Sequence, residues 1–228
     1  MNISPGKKPG ASAPGPERLS MSTPTSTVAA LYVESGGVYD GIEGVESWGL
    51  PDRDARTYAG PWPVVAHPPC ARWCQLAAVV EARWGHKRGD DGGCFAAALA
   101  AVRAWGGVLE HPAYSAAWDT FDLPVPPSHG GWVRGLCGGW SCYVEQRRYG
   151  HRAKKATWLY AVGCELPTLR WGFGAQGEVL VSRCTNRSFR GADRPRIQSA
   201  NASRTPIEFR DVLITMARSV VLARREAV

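Results

Sequence analysis

A cysteine follows two prolines at the end of a short apolar run in residues 63–70, PVVAHPPC. Two consecutive prolines restrict the backbone, and a restricted backbone holds a nucleophilic side chain in place. Ligands and catalytic groups of open α/β sheets collect at the carboxyl ends of the strands. We therefore predict that Cys70 is a nucleophile at such an edge; the alternative interpretation is a cysteine buried in the core.

The second candidate is Glu110, which directly follows the apolar pair Val108-Leu109. This pair is typical of a buried strand, and a carboxylate on a buried strand requires a partner. A functional role for Glu110 is therefore favoured over a purely structural one.

A metal site is a third interpretation of the cysteines. His67, Cys70 and Cys74 have the spacing H-x2-C-x3-C, and Cys137 and Cys142 lie in a glycine-rich segment. Neither group has the C-x2-C spacing of strong zinc signatures, so no metal is expected. The seven cysteines are an odd number in a long chain, which favours reduced thiols over a disulfide scaffold.

The net charge of +7 is distributed unevenly. Residues 1–145 hold 11 Lys and Arg against 14 Asp and Glu, whereas residues 146–228 hold 16 against 6. The basic half favours contact with a polyanion, with Arg187 and Arg190 as candidates for phosphate contact. The alternative is a solvated loop.

Several aromatic and basic side chains are candidates for contact with nucleic-acid bases. Trp132, Trp140 and Tyr143 lie in or beside a glycine-rich segment, where they either stack on bases or anchor the core. His151 stands between Arg148 and Arg152, which favour its neutral form, and we interpret it as a contact residue rather than a general base.

The elements that must position these residues alternate between strand and helix. Residues 206–225 close the chain as an amphipathic helix, with Thr205 and Pro206 as its cap and first turn. This order predicts a three-layer α/β domain with a largely parallel sheet. The expected strands are 28–33, 64–66, 108–109 and 156–163, and the other expected helices are 74–84 and 95–105.

The ends of the chain differ from its centre. Residues 1–27 are rich in Pro, Gly, Ser and Thr and predict a disordered leader, with Met21 as an alternative start. Residues 28–228 are expected to form one domain, in which residues 164–203 form a small basic lobe or recognition loop. No apolar run is long enough to cross a bilayer, so a cytoplasmic protein is expected.

Four segments, in order, resemble the DNA cytosine-5 methyltransferases over about residues 28–225. They are Pro-Pro-Cys at 68–70, VLEHP at 108–112, YGHRAKKATWLYAVG at 149–163 and RTPIEFR at 204–210. The resemblance implies a Rossmann-like methyltransferase sheet. It also implies that the Cys70 thiolate adds to carbon 6 of a flipped-out cytosine, after which carbon 5 attacks the methyl group of S-adenosylmethionine.

The resemblance implies roles for further residues. Glu110 would hold or protonate the cytosine ring at nitrogen 3, although His111 replaces the usual Asn after it. Arg152, Lys154 and Lys155 would contact the flipped base and the phosphates.

Cofactor binding is implied near residues 31–37, LYVESGG, which contain only two adjacent glycines. About thirty residues separate this turn from the Pro-Pro-Cys segment, fewer than in the family. Glu46 and Asp52 are alternatives for the acid that would bind the ribose or the adenine. The residues assigned to the cofactor are Glu34, Ser35, Gly36, Gly37, Asp54 and Pro68.

The expected function is therefore modification of a DNA base, with DNA as the partner and no membrane or obligate protein partner. Small, basic chains of this pattern resemble phage products that act in a host cytoplasm and protect DNA from restriction. The alternative is a non-catalytic nucleic-acid-binding protein of the same fold.

Overall fold

The structure is a computed structural model that describes residues 26–75, 77–174, 177–181, 195–197 and 199–220. The predictions for the leader, for Arg187 and Arg190, and for the helix after residue 220 lie wholly or mostly outside these residues. Among the described residues, no helix is long and apolar enough to cross a membrane.

A mixed sheet of seven strands forms the centre of this α/β protein. The order is β2-β1-β3-β4-β7-β6-β5. Neighbours from β2 to β4 run parallel, whereas β7 is antiparallel to both β4 and β6 and β5 is antiparallel to β6. The strands are β1 Val28–Leu31, β2 Val45–Trp48, β3 Val64–Ala66, β4 Gly107–Pro112, β5 Trp132–Arg134, β6 Trp140–Glu145 and β7 Ala156–Val162.

The remaining elements lie around the sheet. A pair of short parallel strands, β8 Leu180–Val181 and β9 Arg196–Ile197, forms a separate sheet. Short 3-10 helices cover Ala55–Thr57 and Gln146–Tyr149. The α-helices are α1 Ala77–Trp84, α2 Cys94–Trp105, α3 Ala116–Thr120, α4 Ser199–Ser203 and α5 Ile207–Arg218.

Alternate residues of each strand point to opposite faces of the large sheet. Both faces carry apolar side chains, and helices cover both of them. Ala29, Leu31 and Leu109 pack in the same apolar cluster as Phe95 and Val102 of α2. The second cluster joins the other face to α5; it includes Val28, Ala30, Val65, Val108, Phe209 and Leu213. The three-layer arrangement expected from the sequence is thus present.

Two adjacent glycines connect α2 to β4. The N–H of Gly106 donates to the carbonyl of Val102 at 2.9 Å and ends the helix. At Gly107, with φ +115°, an added Cβ would lie 2.0 Å from the carbonyl oxygen of Val64. Only glycine permits this approach, which lets β4 pair directly with β3.

Most predicted elements are confirmed with shifted bounds, but two predictions were incomplete or wrong. The strand β2 and the hairpin of β5 and β6 were not predicted from the sequence. Pro206 occupies the N-cap position of α5 and no side chain provides a capping hydrogen bond, so the predicted Thr205 cap is wrong. Thr205 precedes the cap, where its hydroxyl is one residue too early.

Candidate active site

The parallel strands β1, β3 and β4 end at the same edge of the sheet. The chain passes from β1 outward to β2 and then returns to the other side of β1 as β3, so the strand order reverses between β1 and β3. Ligands of open α/β sheets bind beside such a reversal, at the carboxyl ends of the strands. His67 continues β3 at this point, where its N–H donates to the carbonyl of Leu31 at 3.0 Å.

Glu110 lies on β4 and is 6 % exposed. Its Oε1 accepts hydrogen bonds from Gln146 Nε2 at 2.9 Å and from the Thr157 hydroxyl at 3.4 Å. Its Oε2 lies 2.9 Å from Nδ1 of His67. Burial alone would raise the pKa of Glu110, but Lys155 and the hydrogen bond from His67 lower it to about 2. The carboxylate is therefore ionised at neutral pH.

His67 connects this carboxylate to a tyrosine. Its Nε2 lies 2.7 Å from the hydroxyl of Tyr39, and the His67 side chain is 13 % exposed. Burial raises the pKa of Tyr39 well above its usual value, so its hydroxyl keeps the proton. Arg210 of α5 donates to the carbonyl of Val38 at 2.6 Å and thereby holds the loop that carries Tyr39.

Cys70 lies at the end of the rigid turn, as predicted. Pro68 is buried, Cys70 is partly exposed, and the N–H of Cys74 donates to the Cys70 carbonyl at 3.0 Å. Burial raises the pKa of the Cys70 thiol, Cys74 and Glu110 raise it further, and Lys155 lowers it. The thiol is thus within electrostatic reach of both Glu110 and Lys155.

Lys155 belongs to the interior of this site rather than to an open basic surface. Its side chain is 15 % exposed, and its Nζ lies 4.0 Å from Glu110 Oε1. The same ammonium donates to the carbonyl of Ser203 at 2.9 Å, at the end of α4. Its position beside Glu110 balances the buried negative charge.

The other two predicted cations point elsewhere. Arg152 is 66 % exposed and lies 3.7 Å from Glu178. Lys154 is half exposed and lies 3.2 Å from the fully buried carboxylate of Glu145. The structure therefore pairs Lys155 with Glu110 at the edge that also carries Cys70, and it directs Arg152 and Lys154 to other carboxylates.

The predicted cofactor turn follows β1 at the same edge. Glu34, Ser35 and Gly36 are exposed, and the N–H of Gly37 donates to the Glu34 carbonyl at 2.9 Å. The N–H of Gly36 donates to the carboxylate of Asp40. An added Cβ at Gly36 would meet no atom within 4 Å, so space is open above the turn.

Acidic side chains lie beside this turn. Ser35 donates to Asp52 at 2.5 Å, and Asp54 accepts from the guanidinium of Arg56 at 2.6 Å. Glu46 lies on β2 and forms an ion pair with Arg53 at 3.4 Å. Each of these carboxylates thus already has a partner within the protein.

Tyr32 provides a donor at the end of β1. Its hydroxyl is buried and has no hydrogen-bond partner among the described residues. Burial raises the pKa of Tyr32, and Cys94 and Asp54 raise it further. A buried hydroxyl without a partner costs free energy unless a ligand or water pairs with it. Tyr32 and Asp54 are therefore side chains at this end of the sheet that could pair with polar groups of a ligand.

The aromatic residues and His151 make intramolecular contacts. Trp132 donates to the Pro167 carbonyl at 3.0 Å, and Arg134 lies over the Trp140 ring. Tyr143 is 1 % exposed and donates to Glu145, so it is a core residue. His151 is buried and its ring contacts the backbone of Ala153 and Ala202.

Sequence reasoning missed three polar residues of the site: Tyr39, Gln146 and Thr157. Nothing in their local sequence distinguishes them, since Gln146 is surrounded by charged residues and Thr157 by a typical strand pattern. Their polar atoms become informative only once burial is known. His67 was considered as a metal ligand. Among the described residues, no three side chains of His, Cys, Asp or Glu are grouped so that they could hold a metal ion.

The described residues define an α/β protein with a buried carboxylate, a histidine and a thiol at the carboxyl edge of its sheet. Comparison of the chain with protein-family models, curated proteins and solved structures finds no match.

Proposed function

We propose that this protein is a nucleic-acid base-modifying enzyme of the cytosine-5 methyltransferase type, with a Rossmann-like sheet and DNA as its substrate. The observation that carries the proposal is the pair of Glu110 and Lys155 at the same carboxyl edge of the sheet as Cys70, beside the reversal in strand order. These are the residue types required to attack and hold a pyrimidine ring. They come from three separate segments that resemble the family in the same order.

Cys70 is the nucleophile in this proposal. Its thiol must lose a proton before the sulfur can attack carbon 6 of the base. Burial opposes this loss, whereas the ammonium of Lys155 favours it. A substrate that closes the site removes water and strengthens the contribution of Lys155.

Glu110 orients the base as a hydrogen-bond acceptor. With a pKa of about 2, it does not carry a proton at neutral pH and cannot protonate nitrogen 3 of the ring. Its Oε2 accepts only from His67 among the described residues, and a carboxylate oxygen can accept a second bond. The exocyclic amino group of cytosine is the donor that fits this acceptor.

S-adenosylmethionine is the proposed cofactor, and when bound it supplies an electrophilic methyl group. The turn of Glu34, Ser35, Gly36 and Gly37 would bind its methionine part. Asp54 and the unpaired Tyr32 hydroxyl would bind its adenosyl part, and buried Pro68 would form the floor between cofactor and thiol.

The target base must leave the DNA stack, because carbon 6 is not accessible in a duplex. Of the three cations that the resemblance assigns to this role, Arg152 is the most available for phosphate contact, since two thirds of its side chain is exposed. Lys155 would contact the flipped base rather than the phosphates because it is buried beside Glu110. Arg187 and Arg190 remain predicted phosphate contacts.

The test is nucleoside mass spectrometry of total DNA from cells that express the protein, the Cys70→Ala variant or the Cys137→Ala variant. Cys137 is an exposed cysteine and serves as the matched control. A modified cytosine is expected with the wild type and with Cys137→Ala, and none with Cys70→Ala. Identical nucleosides in the DNA of all three strains, with no modified cytosine, would refute the proposed enzymatic activity.

A non-catalytic nucleic-acid-binding protein is the second candidate, and the raised pKa of Cys70 favours it. This alternative predicts DNA affinity with a steep salt dependence that is unchanged in Cys70→Ala, and no binding of S-adenosylmethionine. Titration of the wild type and of Cys70→Ala with DNA at several salt concentrations, together with the nucleoside measurement, distinguishes the two functions.

A further inference from the structure

Both oxygens of the Glu110 carboxylate already have partners within the protein. Oε1 accepts from Gln146 and Thr157, and Oε2 accepts from His67. An ionised carboxylate held on both sides in this way is suited to orient a neighbouring group. The group that it orients most directly is the His67 imidazole, which is also more exposed than Glu110.

The contacts of His67 place a proton on Nδ1 of its ring. Ionised Glu110 can only accept, so Nδ1 of His67 carries the proton of the 2.9 Å bond. The hydroxyl of Tyr39 lies 2.7 Å from Nε2. In the tautomer that carries its only proton on Nδ1, Nε2 presents a lone pair that accepts from this hydroxyl. A carboxylate behind an imidazole stabilises the cation that forms when the free nitrogen takes up a proton.

We propose that His67 is the proton acceptor of this site, with Glu110 as its positioning residue and Tyr39 covering Nε2 while no substrate is bound. This inference rests on the proposed function. The reaction requires such an acceptor because the methylated base is still bonded to Cys70 and still carries a hydrogen on carbon 5.

The step that His67 performs is an elimination. The bond between carbon 5 and its hydrogen breaks, and its electron pair forms the double bond between carbons 5 and 6. The bond between carbon 6 and the Cys70 sulfur breaks, and its electron pair returns to the sulfur as a thiolate. The proton moves to Nε2 of His67, where Glu110 stabilises the positive charge.

The geometry favours His67 over its neighbours for this role. Tyr39 is a poor acceptor because burial keeps its hydroxyl protonated. Lys155 is fixed by the carbonyl of Ser203 and by Glu110, and an ammonium carries no lone pair. His67 continues the strand that leads into the Cys70 turn, so its ring and the thiol are carried by one short segment.

The test measures the covalent complex between the purified full chain and DNA. His67→Asn keeps an amide that can donate to Glu110 but has no base at the position of Nε2. With ordinary cytosine DNA and S-adenosylmethionine, this variant is expected to accumulate the complex at least tenfold above the wild type on denaturing gels. The matched control is His129→Asn, which makes the same change at an exposed histidine and is expected not to accumulate it.

Two further variants and one substrate separate the possible failures. Tyr39→Phe uncovers Nε2 and is expected to release the base, so accumulation with Tyr39→Phe instead of His67→Asn would overturn the role of His67. If His67→Asn fails to fold by circular dichroism, His67→Gln provides the same comparison. If the wild type forms no covalent complex with 5-fluorocytosine DNA, the proposed function itself is refuted. If the wild type forms that complex but His67→Asn does not accumulate the complex with ordinary cytosine DNA, only this inference is refuted.

Discussion

The Nδ1 atom of His67 lies 2.9 Å from Oε2 of Glu110, although the two residues are 43 positions apart in the chain. Neighbouring parallel strands produce this contact: β3 and β4 pair in register from Val64 and Gly107, and His67 is the first residue beyond β3. The pair lies next to the reversal in strand order between β1 and β3. Its charge state therefore connects the stability of the fold to the chemistry of the edge.

Glu110 should make the protein sensitive to strong acid. Its pKa is lowered from 4.5 to about 2 in the folded state, so the stabilisation is present above about pH 4.5 and is lost as the pH falls towards 2. The linkage amounts to about 3 kcal/mol. Glu110→Gln is expected to lower the free energy of unfolding by this order at pH 7 and to remove the decline between pH 4.5 and 2. Urea unfolding at several pH values measures both effects, and Glu81→Gln on exposed α1 is the control.

His111 should control stability at milder pH. It is fully buried, and its ring nitrogens make no hydrogen bond of normal geometry among the described residues. Burial lowers its pKa from 6.5 to about 4, with Glu110 and the Pro69 backbone opposing this shift. The unfolded chain binds a proton more readily in this range, so stability falls as the pH drops from 6.5 to 4. His111→Phe preserves the aromatic packing against Phe95 and Trp118, should abolish this fall, and should stabilise the protein by about 1 kcal/mol at pH 7. An unchanged pH slope in this variant would contradict the assignment.

The reactivity of Cys70 should respond in opposite directions to its two charged neighbours. Glu110 raises the pKa of the thiol and Lys155 lowers it. Alkylation of Cys70 by iodoacetamide at pH 8 is therefore expected to be faster in Glu110→Gln and slower in Lys155→Met than in the wild type. Mass spectrometry of the labelled peptide gives the rates, and labelling of exposed Cys137 in the same samples is the internal control. Equal Cys70 rates in all three proteins would show that the thiol does not sense this site.

Arg152 and Lys154 should separate DNA binding from stability. Arg152→Gln is expected to weaken DNA binding and to reduce the salt slope of the affinity by about 1, with little effect on the melting temperature. Lys154→Gln removes the cation beside the buried Glu145 carboxylate and is expected to lower the melting temperature. Fluorescence anisotropy at several salt concentrations and thermal unfolding test the pair; the reverse pattern would place the phosphate contact at Lys154.

The strands next to the site could be predicted from the sequence, whereas most contacts within the site could not. Apolar runs and the two glycines after α2 predicted β1, β3, β4 and β7, and the Pro-Pro turn placed Cys70 at the carboxyl edge. These are local features, determined by periodicity and backbone restriction.

The surroundings of Glu110 depend on strand order, which no local pattern determines. Because β7 lies between β4 and β6, Thr157 of β7 and Gln146, which follows β6, contact the Glu110 carboxylate although both are distant from it in the sequence. Lys155 illustrates the same limit. In a basic run it is typical of phosphate contact, yet its side chain, immediately before β7, points inward to Glu110. Tyr39 comes from a loop whose position depends on Arg210 of α5.

The hydrogen bonds of Glu110 span 43 residues to His67, 36 to Gln146 and 47 to Thr157. Contacts between distant segments close late in folding, after the entropy of long loops has been lost. Until β7 docks, a chain that has formed β3 and β4 holds an acidic group without its compensating partners, and such an intermediate is penalised. The carboxylate thereby makes formation of this edge of the sheet cooperative with completion of the whole sheet, so a truncated or half-folded chain does not hold Glu110 and its partners in place beside Cys70.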